Sequence, residues 1–358
     1  MKVLLYTEFE KALGKSGLGK AIRHQMRALE ENGIPYTTDP KEEHDLIHIN
    51  YYGPKSYFLA RKERRKGTTV VYHAHSTEED FRNSFILSNL FAPLFRKWIC
   101  KCYRLGDAII TPTPYSKSLL EGYGLGNITA LSNGIDLGLF GPDAEAGRRF
   151  REKYGFGPGE KVVLGIGLYL ERKGILDFVK MAESLPQYKF IWFGHTNLAV
   201  VPGKIRKAVR TKLPNLRFPG YVEQAEIKAA MNGADLYWFP TLEETEGIPA
   251  LEACACGTKL LVRDIPVFSG WLKDGENAYM AKDFDGFREK IAGILEGTLP
   301  DLTEAAFGVA REREIHKVGR EMIDVYKKAL GKARGAAVDE NGGESGGETG
   351  GAAGEKTV

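Results

Sequence analysis

Short apolar runs alternate with amphipathic helical segments along most of the chain, and this alternation constrains the fold more than any other feature. A first series contains KVLLYT, DLIHIN, TTVVYHAH and DAIITPT, and a second series restarts after about residue 155 with KVVLGIG, KFIWFG, DLYWFP and TKLLVRD. Strands that alternate with helices predict parallel sheets covered by helices on both faces. Two such series predict an α/β protein with two doubly wound, Rossmann-like domains facing a central cleft.

The predicted domains are residues 1–140 and 141–331, joined within the glycine-rich segment GIDLGLFGPDAEAG at 134–147. The last helix of the second domain is a candidate to return to the first. Residues 332–358 are rich in glycine and show no hydrophobic period. We expect a disordered tail there without a catalytic part, because so little apolar surface cannot offset the entropy of ordering.

Several classes of protein are disfavoured by composition. No run of about eighteen apolar residues exists, so no membrane-spanning helix is predicted. The start, MKVLLYTEFE, predicts a buried strand rather than a signal peptide. The four cysteines indicate reduced thiols and a cytoplasmic location. They are Cys100, Cys102, Cys254 and Cys256. A zinc site is disfavoured because helical neighbours two apart face away from each other.

Positive charge is concentrated in the first half of the chain. Residues 1–150 carry 21 Lys and Arg against 17 Asp and Glu, whereas the remainder carries 29 against 30. Much of the excess lies in RKERRKG at 61–67 and FAPLFRKWICKCYRLGD at 91–107. These segments are either solvated helix faces or contacts with an anionic surface, a membrane or a nucleic acid. The candidates for membrane docking are Arg61, Lys62, Arg64, Arg65, Arg96, Lys97, Trp98 and Lys101.

The segment EETEGIPALEACACG at 243–257 combines a strand end, a turn and a short helix. Pro249 suits the first turn of that helix, and Gly257 suits the position after its end. The amides at the helix start can bind an anion. They belong to Thr245, Glu246, Gly247 and Ile248. The flanking carboxylates are then either partners of sugar and ribose hydroxyls or merely solvated charges at a helix start.

Glu244 and Glu252, with seven residues between them, resemble the Glu-x7-Glu element of retaining glycosyltransferases of family 4, which have the GT-B fold. Other segments match the same family in order. GKSGLGKA resembles its N-terminal glycine loop, VVYHAHST its active-site histidine strand, and ITALSNGIDLGLF its Asn-Gly-Ile-Asp segment. LYLERKGILDF resembles its diphosphate loop and LRFPGYV its base-binding turn. The resemblance covers residues 1 to about 330.

The resemblance implies roles for individual residues. Lys173 would neutralise the departing diphosphate, and His75 would hold the transferred sugar. Glu244 would bind the hydroxyls of the donor sugar, stabilise oxocarbenium charge or act as the nucleophile, and these three roles stay open. The expected donor-binding residues are Gly17, Arg172, Val222, Thr245, Glu246, Gly247, Ile248 and Glu252, the last on the ribose. No metal and no cofactor is expected, because lysine and helix N-termini supply the positive charge.

Structural roles are the alternative for these residues. Lys173 can be an ordinary structural lysine, His75 a core histidine and Glu252 a carboxylate in the first turn of a helix. A zinc pair of His73 and His75 would need a third ligand, and none is evident in the sequence.

Two positions depart from the family pattern. Gly167 stands where the family usually has an arginine, six residues before the phosphate lysine, and Arg172 is the candidate substitute. Glu246 stands where many members have an aromatic residue. We expect its carboxylate to turn away from the phosphates, which would repel it.

A narrower resemblance links KSGLGKAIRHQMRALE, YHAHSTEEDFRNSF and GLYLERKGILDF to the diglycosyl-diacylglycerol synthases of low-GC Gram-positive bacteria. It implies a hexosyltransferase that uses UDP-glucose or UDP-galactose and a monoglycosyl-diacylglycerol acceptor. Such an enzyme would work from the cytoplasm, bound peripherally to the anionic inner face of the plasma membrane, without a nucleic-acid partner. The alternatives are a family 4 enzyme with a soluble or polysaccharide acceptor, a nucleotide-sugar 2-epimerase, and a nucleotide-sugar sensor. The sequence leaves open the donor hexose, the linkage and the oligomeric state.

Overall fold

The protein is described by a computed structural model that covers residues 1–8 and 17–341, with side chains up to residue 331. Its framework consists of two six-stranded sheets. The part of the predicted glycine loop from Gly14 to Ser16 lies outside the described residues, as do residues 342–358 of the predicted tail.

The first sheet is formed by the N-terminal part of the chain. Its strands are β1 (Val3–Tyr6), β2 (Tyr36–Thr37), β3 (Leu46–Ile49), β4 (Thr69–His73), β5 (Ala108–Thr111) and β6 (Ile128–Ala130). They pair in the order β2-β1-β3-β4-β5-β6, and every pair is parallel. β3, β4 and β5 are buried throughout, which explains their continuous apolar sequences. The strand order reverses between β1 and β3, and ligands of such sheets bind at this point.

The second sheet has the same construction. Its strands are β7 (Val162–Ile166), β8 (Lys189–Phe193), β9 (Leu216–Gly220), β10 (Leu236–Phe239), β11 (Leu260–Arg263) and β12 (Tyr279–Ala281). They pair in parallel in the order β12-β11-β10-β7-β8-β9. The order reverses between β7 and β10. The loops after these two strands contain Lys173 and Glu244, so the topology brings both residues to one edge of the sheet.

Helices cover both sheets, and this confirms the two doubly wound domains predicted from the alternation. They are α1 (Gly17–Glu31), α2 (Pro54–Arg65), α3 (Glu78–Phe81), α4 (Ser88–Tyr103), α5 (Pro114–Gly122), α6 (Ala144–Lys153), α7 (Ile175–Ser184), α8 (Gly203–Val209), α9 (Gln224–Gly233), α10 (Ile248–Cys256), α11 (Phe284–Glu296), α12 (Thr303–Glu312) and α13 (Ile315–Asn341). Across the described part of the chain, no helix is both long and apolar enough to cross a bilayer.

The chain passes between the two sheets twice, and the two crossings lie side by side. Ile135 N donates to Arg313 O at 2.9 Å, and Ile315 N donates to Ile135 O at 3.0 Å. After the second crossing, α13 packs against α1 of the first domain, where Asn32 Nδ2 donates to His316 O at 3.1 Å. The final helix therefore returns to the first domain.

Helix α13 continues to Asn341, which differs from the disordered tail predicted from residue 332 onward. The sequence there, KARGAAVDEN, is rich in alanine and charged residues. Alanine, lysine, arginine and glutamate have high helix propensity, and here they extend a helix whose first turns are already fixed by packing on α1.

We expect Gly319→Ala to destabilise the protein. A methyl group at Gly319 would lie 2.7 Å from the backbone oxygen of Ala28 on α1, and overpacking of this kind costs about 1–3 kcal/mol. Gly331→Ala on the same helix is the matched control, because a methyl group there meets no described atom within 4 Å. The control should be neutral or stabilising by up to about 1 kcal/mol. Urea denaturation measures both, and equal midpoints would contradict the close packing of α13 on α1.

Candidate active site

Lys173 lies in the loop after β7, where the strand order of the second sheet reverses. It ends a 3₁₀ turn, Glu171–Lys173, and Gly174 follows with a φ of 77°. A Cβ atom at Gly174 would lie 2.3 Å from the carbonyl oxygen of Pro240. Glycine is therefore required, and its absence of a side chain lets the loop after β7 contact the loop after β10.

The ammonium of Lys173 forms an ion pair with the buried carboxylate of Glu244. Thr241 Oγ1 donates to the same carboxylate oxygen at 2.9 Å. Burial alone would raise the pKa of Glu244, but Lys173 and Arg172 outweigh it and hold that pKa below its ordinary value. A cation and an anion are thus fixed together at the sheet edge where parallel α/β proteins bind ligands.

Helix α10 begins directly after the turn that contains Glu244. Gly247 is the N-cap residue of this helix, with a φ of 92° and no side-chain hydrogen bond to the first turn. Pro249 lies in the first turn, as the sequence predicts. Because glycine has no side chain, no carboxylate caps the helix at position 247. The positive end of the helix dipole therefore faces the turn. This is the local structure expected for an anion site formed by the amides of Thr245, Glu246, Gly247 and Ile248.

The carboxylate of Glu246 binds to the first domain. It accepts hydrogen bonds from the Ser132 hydroxyl, from Asn133 N at 3.0 Å and from Asn133 Nδ2 at 2.7 Å. Beside it, Thr113 Oγ1 donates to the carbonyl of Thr245 at 2.9 Å. The side chain of Glu246 therefore forms hydrogen bonds between the domains. Only its backbone N–H would be available to a nucleotide-sugar ligand.

Glu252 is fully buried on α10, and its partner comes from the other domain. Lys20 Nζ, on α1, lies 2.5 Å from Glu252 Oε1. The other oxygen, Oε2, has no hydrogen-bond partner among the described residues. Burial raises the pKa of Glu252, and Lys20 opposes that rise. Lys20 thus holds one carboxylate oxygen, and the other is an acceptor without a partner among the described residues.

Gly17 and Val222 are two further predicted contacts of the donor nucleotide. Gly17 is the first residue of α1, and a Cβ atom there would meet no described atom within 4 Å. Val222 follows β9, the edge strand of the second sheet, and packs partly buried against the core. Their contacts with the donor stay predictions.

Arg172 extends toward the first domain. Its Nε donates to Ser84 Oγ at 2.9 Å, and its Nη2 lies 3.4 Å from Asp80 Oδ1. At Gly167, a Cβ atom would lie 3.2 Å from the Trp192 ring, so a side chain at this position would require the ring to shift. Arg172 would have to exchange these partners to reach a phosphate, and its role as the substitute stays a prediction.

His75 ends a column of three stacked histidine rings. His73 and His75 have ring centroids 4.0 Å apart, and His48 and His73 have centroids 5.3 Å apart, with both pairs nearly parallel. Tyr326 Oη lies 2.6 Å from His48 Nδ1, and His75 Nε2 lies 2.9 Å from Asn50 Oδ1. These contacts are compatible with neutral rings in which His48 Nδ1 accepts from the Tyr326 hydroxyl and His75 Nε2–H donates to Asn50 Oδ1.

Burial lowers the pKa of His48 and of His75 to about 3 and the pKa of His73 well below its ordinary value. The position of His48 beside His73 and His75 was not predicted from the sequence. The rings stack face to face rather than converging on one point, and the described residues contain no group of three metal-binding side chains. The geometry therefore favours a hydrogen-bonding column over a zinc site.

Two acidic residues of the cleft were missed by sequence reasoning. Glu243 Oε2 accepts a hydrogen bond from Tyr115 Oη at 3.2 Å across the domains, and burial raises the pKa of Glu243 to about 7. Burial also raises the pKa of Asp80. Their positions in the sequence indicated a place in the cleft. Glu243 follows β10 and Asp80 lies shortly after β4, so both lie beyond the carboxyl ends of parallel strands.

The membrane-docking candidates differ in exposure. The basic side chains on α2 and α4 are exposed: Arg61, Lys62, Arg64, Arg65, Arg96, Lys97 and Lys101. Arg96 also pairs with Glu78 at 3.1 Å. Trp98 is a correction to the prediction, because its ring is half-buried against Tyr57 and its Nε1 donates to Tyr52 O at 2.7 Å. Trp98 is therefore part of the domain core rather than of a membrane-facing surface.

A contiguous apolar surface lies next to these basic residues. It comprises the end of the loop before α4 and one face of that helix, with exposures between 41% and 70%, and we call it the apolar platform: Phe85, Ile86, Leu87, Leu90, Phe91 and Leu94. Monomeric soluble proteins rarely expose clustered apolar side chains of this size, and such clusters mark interaction sites.

We expect the histidine column to make stability depend on pH. The unfolded chain binds a proton at His48 below about pH 6.5, whereas the folded protein keeps this ring neutral down to a pKa of about 3. The contribution to stability is therefore complete above pH 6.5 and is lost as the pH falls toward 3. Wild type should lose about 1.4 kcal/mol more than His48→Gln for each pH unit below 6.5. Urea denaturation near pH 7 and pH 5.5 tests this, because carboxyl groups common to both proteins cancel in the difference. Equal losses would show that the folded column takes up the proton.

Two sequence families match the chain in consecutive regions. Residues 18–139 match Glycosyltransferase Family 4, and residues 147–307 match Glycosyl transferases group 1. The processive diacylglycerol alpha-glucosyltransferase of Acholeplasma laidlawii is 41% identical over 92% of this chain and 99% of its own length. The alpha-galactosylglucosyldiacylglycerol synthase of Streptococcus pneumoniae is 24% identical over 93% of this chain and 91% of its own length.

Solved structures show the same fold. Sucrose-phosphate synthase from Thermosynechococcus elongatus has a TM-score of 0.76 at 16% identity, covering 93% of this chain and 100% of its own. Anabaena HepE in complex with UDP and glucose has a TM-score of 0.73 at 16% identity, covering 91% of this chain and 99% of its own. The resemblance found in the motifs is thereby confirmed, and the chain belongs to the family 4 glycosyltransferases of the GT-B fold.

Proposed function

We propose that this glycosyltransferase moves glucose or galactose from a UDP-sugar to a glycosylated diacylglycerol, with retention of the anomeric configuration. The observation that carries the proposal is the similarity, over nearly the full length of both chains, to a diacylglycerol alpha-glucosyltransferase. The second relative is named for an alpha-galactosylglucosyl product, so the choice between glucose and galactose stays open.

The cleft offers a donor site for this reaction. The diphosphate would lie between Lys173 and the start of α10, and Oε2 of Glu252 would accept a ribose hydroxyl. During transfer, the bond between sugar C1 and the diphosphate oxygen breaks and a bond from C1 to the acceptor oxygen forms. The proton of the acceptor hydroxyl passes to the departing diphosphate. Lys173 would stabilise the negative charge that grows on this leaving group.

Glu244 has a constrained role because Lys173 and Thr241 already contact it. An ion-paired, hydrogen-bonded carboxylate is a weak nucleophile, so we propose that Glu244 orients Lys173 and accepts hydroxyls of the donor sugar. We propose further that no metal is required, since Lys173 and the helix dipole supply the charge stabilisation that a cation gives elsewhere.

The test of the function is a product analysis. The purified protein is incubated in EDTA with UDP-glucose or UDP-galactose and with vesicles containing monoglucosyl-diacylglycerol, and the lipids are analysed by mass spectrometry. We expect UDP release coupled to a diglycosyl lipid. Transfer only to soluble saccharides, or formation of an epimerised nucleotide sugar without acceptor, would overturn the proposed acceptor or reaction. A dependence on added Mg²⁺ would overturn the metal-free site.

We expect Lys173→Ala to lower kcat by about 100-fold, because it removes a charge needed most as the diphosphate leaves. Lys153→Ala is the control: this lysine is exposed and pairs with Glu226 at 2.6 Å outside the cleft. Glu252→Ala should instead raise KM for the donor, while Glu244→Gln should lower kcat. Steady-state UDP release measures all four variants. A loss below about tenfold for Lys173→Ala would exclude it from the donor site.

The acceptor would be embedded in a lipid surface, and we propose that the apolar platform and the neighbouring basic residues bind an anionic bilayer. Leu90, Phe91 and Leu94 are close enough in helical spacing to enter the lipid interface together. Lys97 and Lys101 on the same helix, with α2 nearby, supply complementary positive charge. Each Lys or Arg near an anionic leaflet contributes about 1 kcal/mol, an attraction that salt screens. The proposed location is therefore peripheral, on the cytoplasmic face of the plasma membrane.

We expect the double substitution Leu90→Ser and Leu94→Ser to abolish vesicle binding while leaving UDP binding unchanged. Neutralising Lys97 and Lys101 should weaken binding to anionic vesicles and reduce its salt dependence. Leu139→Ser is the control, because this exposed leucine is not part of the apolar platform. Flotation with anionic and neutral vesicles measures the binding. Equal binding to both vesicle types, or undiminished binding of the double variant, would contradict this surface.

A further inference from the structure

Lys20 and Glu252 form an ion pair between the two domains. Lys20 lies in the first turn of α1, whereas Glu252 lies in the middle of α10 across the cleft. Lys20 Nζ is 2.5 Å from Glu252 Oε1, the Glu252 side chain has no exposed area, and the Lys20 side chain is 16% exposed. The family resemblance placed Glu252 on the ribose but gave no role to Lys20.

We propose that Lys20 is a positioning residue for the nucleotide: from the opposite domain, it holds the Glu252 carboxylate in the orientation that accepts a ribose hydroxyl. This inference rests on the proposed function, because it requires a nucleotide donor. It also makes nucleotide affinity depend on the approach of the two domains, since the side chain that aligns Glu252 belongs to the other domain.

Stability alone explains this ion pair poorly. The desolvation of a buried ion pair can cost more free energy than the attraction between its charges contributes, and apolar replacement of such pairs is often neutral or stabilising. The neighbours of Glu252 on α10 are fully buried, among them Leu251 and Ala253. An apolar side chain would also suit position 252, so packing gives no reason for a carboxylate there. Recognition of a ligand does give such a reason.

The second oxygen of Glu252 points to the same conclusion. Oε2 is buried and has no hydrogen-bond partner in the part of the chain that the structure describes. Each carboxylate oxygen has two lone pairs, and a buried acceptor left unsatisfied is unfavourable. Because Lys20 holds Oε1, the rotation of the carboxylate is fixed and Oε2 is the atom presented to a ribose hydroxyl.

The charge of Glu252 depends on the groups that face it. These are Lys20 and Arg23 from α1, Tyr237 from β10 and Cys256 from its own helix. Burial raises the pKa of Glu252, and Lys20 and Arg23 counteract that rise. Without Lys20 the pKa rises further, so the carboxyl binds its proton at a higher pH. A protonated carboxyl accepts fewer hydrogen bonds, and nucleotide affinity should then fall as the pH decreases.

The experiment measures UDP binding by calorimetry for full-length wild type, Lys20→Met, Lys20→Arg and Arg27→Met. Arg27 is the matched control, because it is exposed on the same helix and pairs with Glu31 at 3.0 Å. We expect Lys20→Met to bind UDP about tenfold more weakly than wild type near pH 6, with a smaller deficit near pH 8. Lys20→Arg should retain most of the affinity because it keeps the charge, and Arg27→Met should match wild type.

Three results would overturn the inference: unchanged UDP affinity in Lys20→Met, tighter binding, or a deficit that is the same at both pH values. Tighter binding would identify the ion pair as an inhibitory contact, and a constant deficit would identify Lys20 as a direct phosphate ligand. Thermal denaturation verifies folding, and Lys20→Gln replaces Lys20→Met with the same expectations if the latter does not fold. Wild type that fails to bind UDP would overturn the proposed function and this inference with it.

Discussion

The arrangement of the cleft depends on three buried carboxylates in one short segment: Glu244, Glu246 and Glu252. Burial disfavours the ionised form, so each carboxylate needs a cation or a hydrogen-bond donor close to it. Lys173 of the same domain serves Glu244, whereas the other two carboxylates bind Asn133 and Lys20 of the opposite domain. The segment whose amides form the proposed diphosphate site therefore also supplies contacts that hold the two domains against each other.

Glu246 illustrates how a departure from a family pattern is accommodated. An aromatic side chain at this position would pack without a hydrogen-bonding requirement, but a carboxylate must be satisfied. Ser132 and Asn133 satisfy it, and they belong to the segment that resembles the family's Asn-Gly-Ile-Asp motif. The negative charge of Glu246 is thereby bound to hydrogen-bond donors of the first domain. In this position it would not repel a diphosphate at the start of α10.

The sequence predicted those features that follow from local pattern and parallel topology. Lys173 and Glu244 are 71 residues apart, yet each follows a strand at the reversal of strand order, so their meeting could be foreseen. The partners across the cleft could not, because Lys20 is 232 residues from Glu252 and no periodicity encodes how two domains meet. Helix α4 shows the same limit. Its apolar residues include a buried set and the exposed platform, and spacing alone did not reveal that the half-buried Trp98 packs against the core.

The loop that follows α3 joins the cleft to the apolar platform. Asn83 O accepts a hydrogen bond from Arg172 N at 3.3 Å, Ser84 Oγ accepts one from Arg172 Nε at 2.9 Å, and the platform begins at the next residue, Phe85. Ile86 N then donates to Val200 O of the second domain at 3.3 Å. A bilayer bound to the platform, as proposed above, would therefore contact the same few residues that bridge the domains beside Lys173. Under the proposed membrane binding, a lipid headgroup at the platform would lie next to the loop that contacts Arg172, and binding of the bilayer would act directly on these domain contacts.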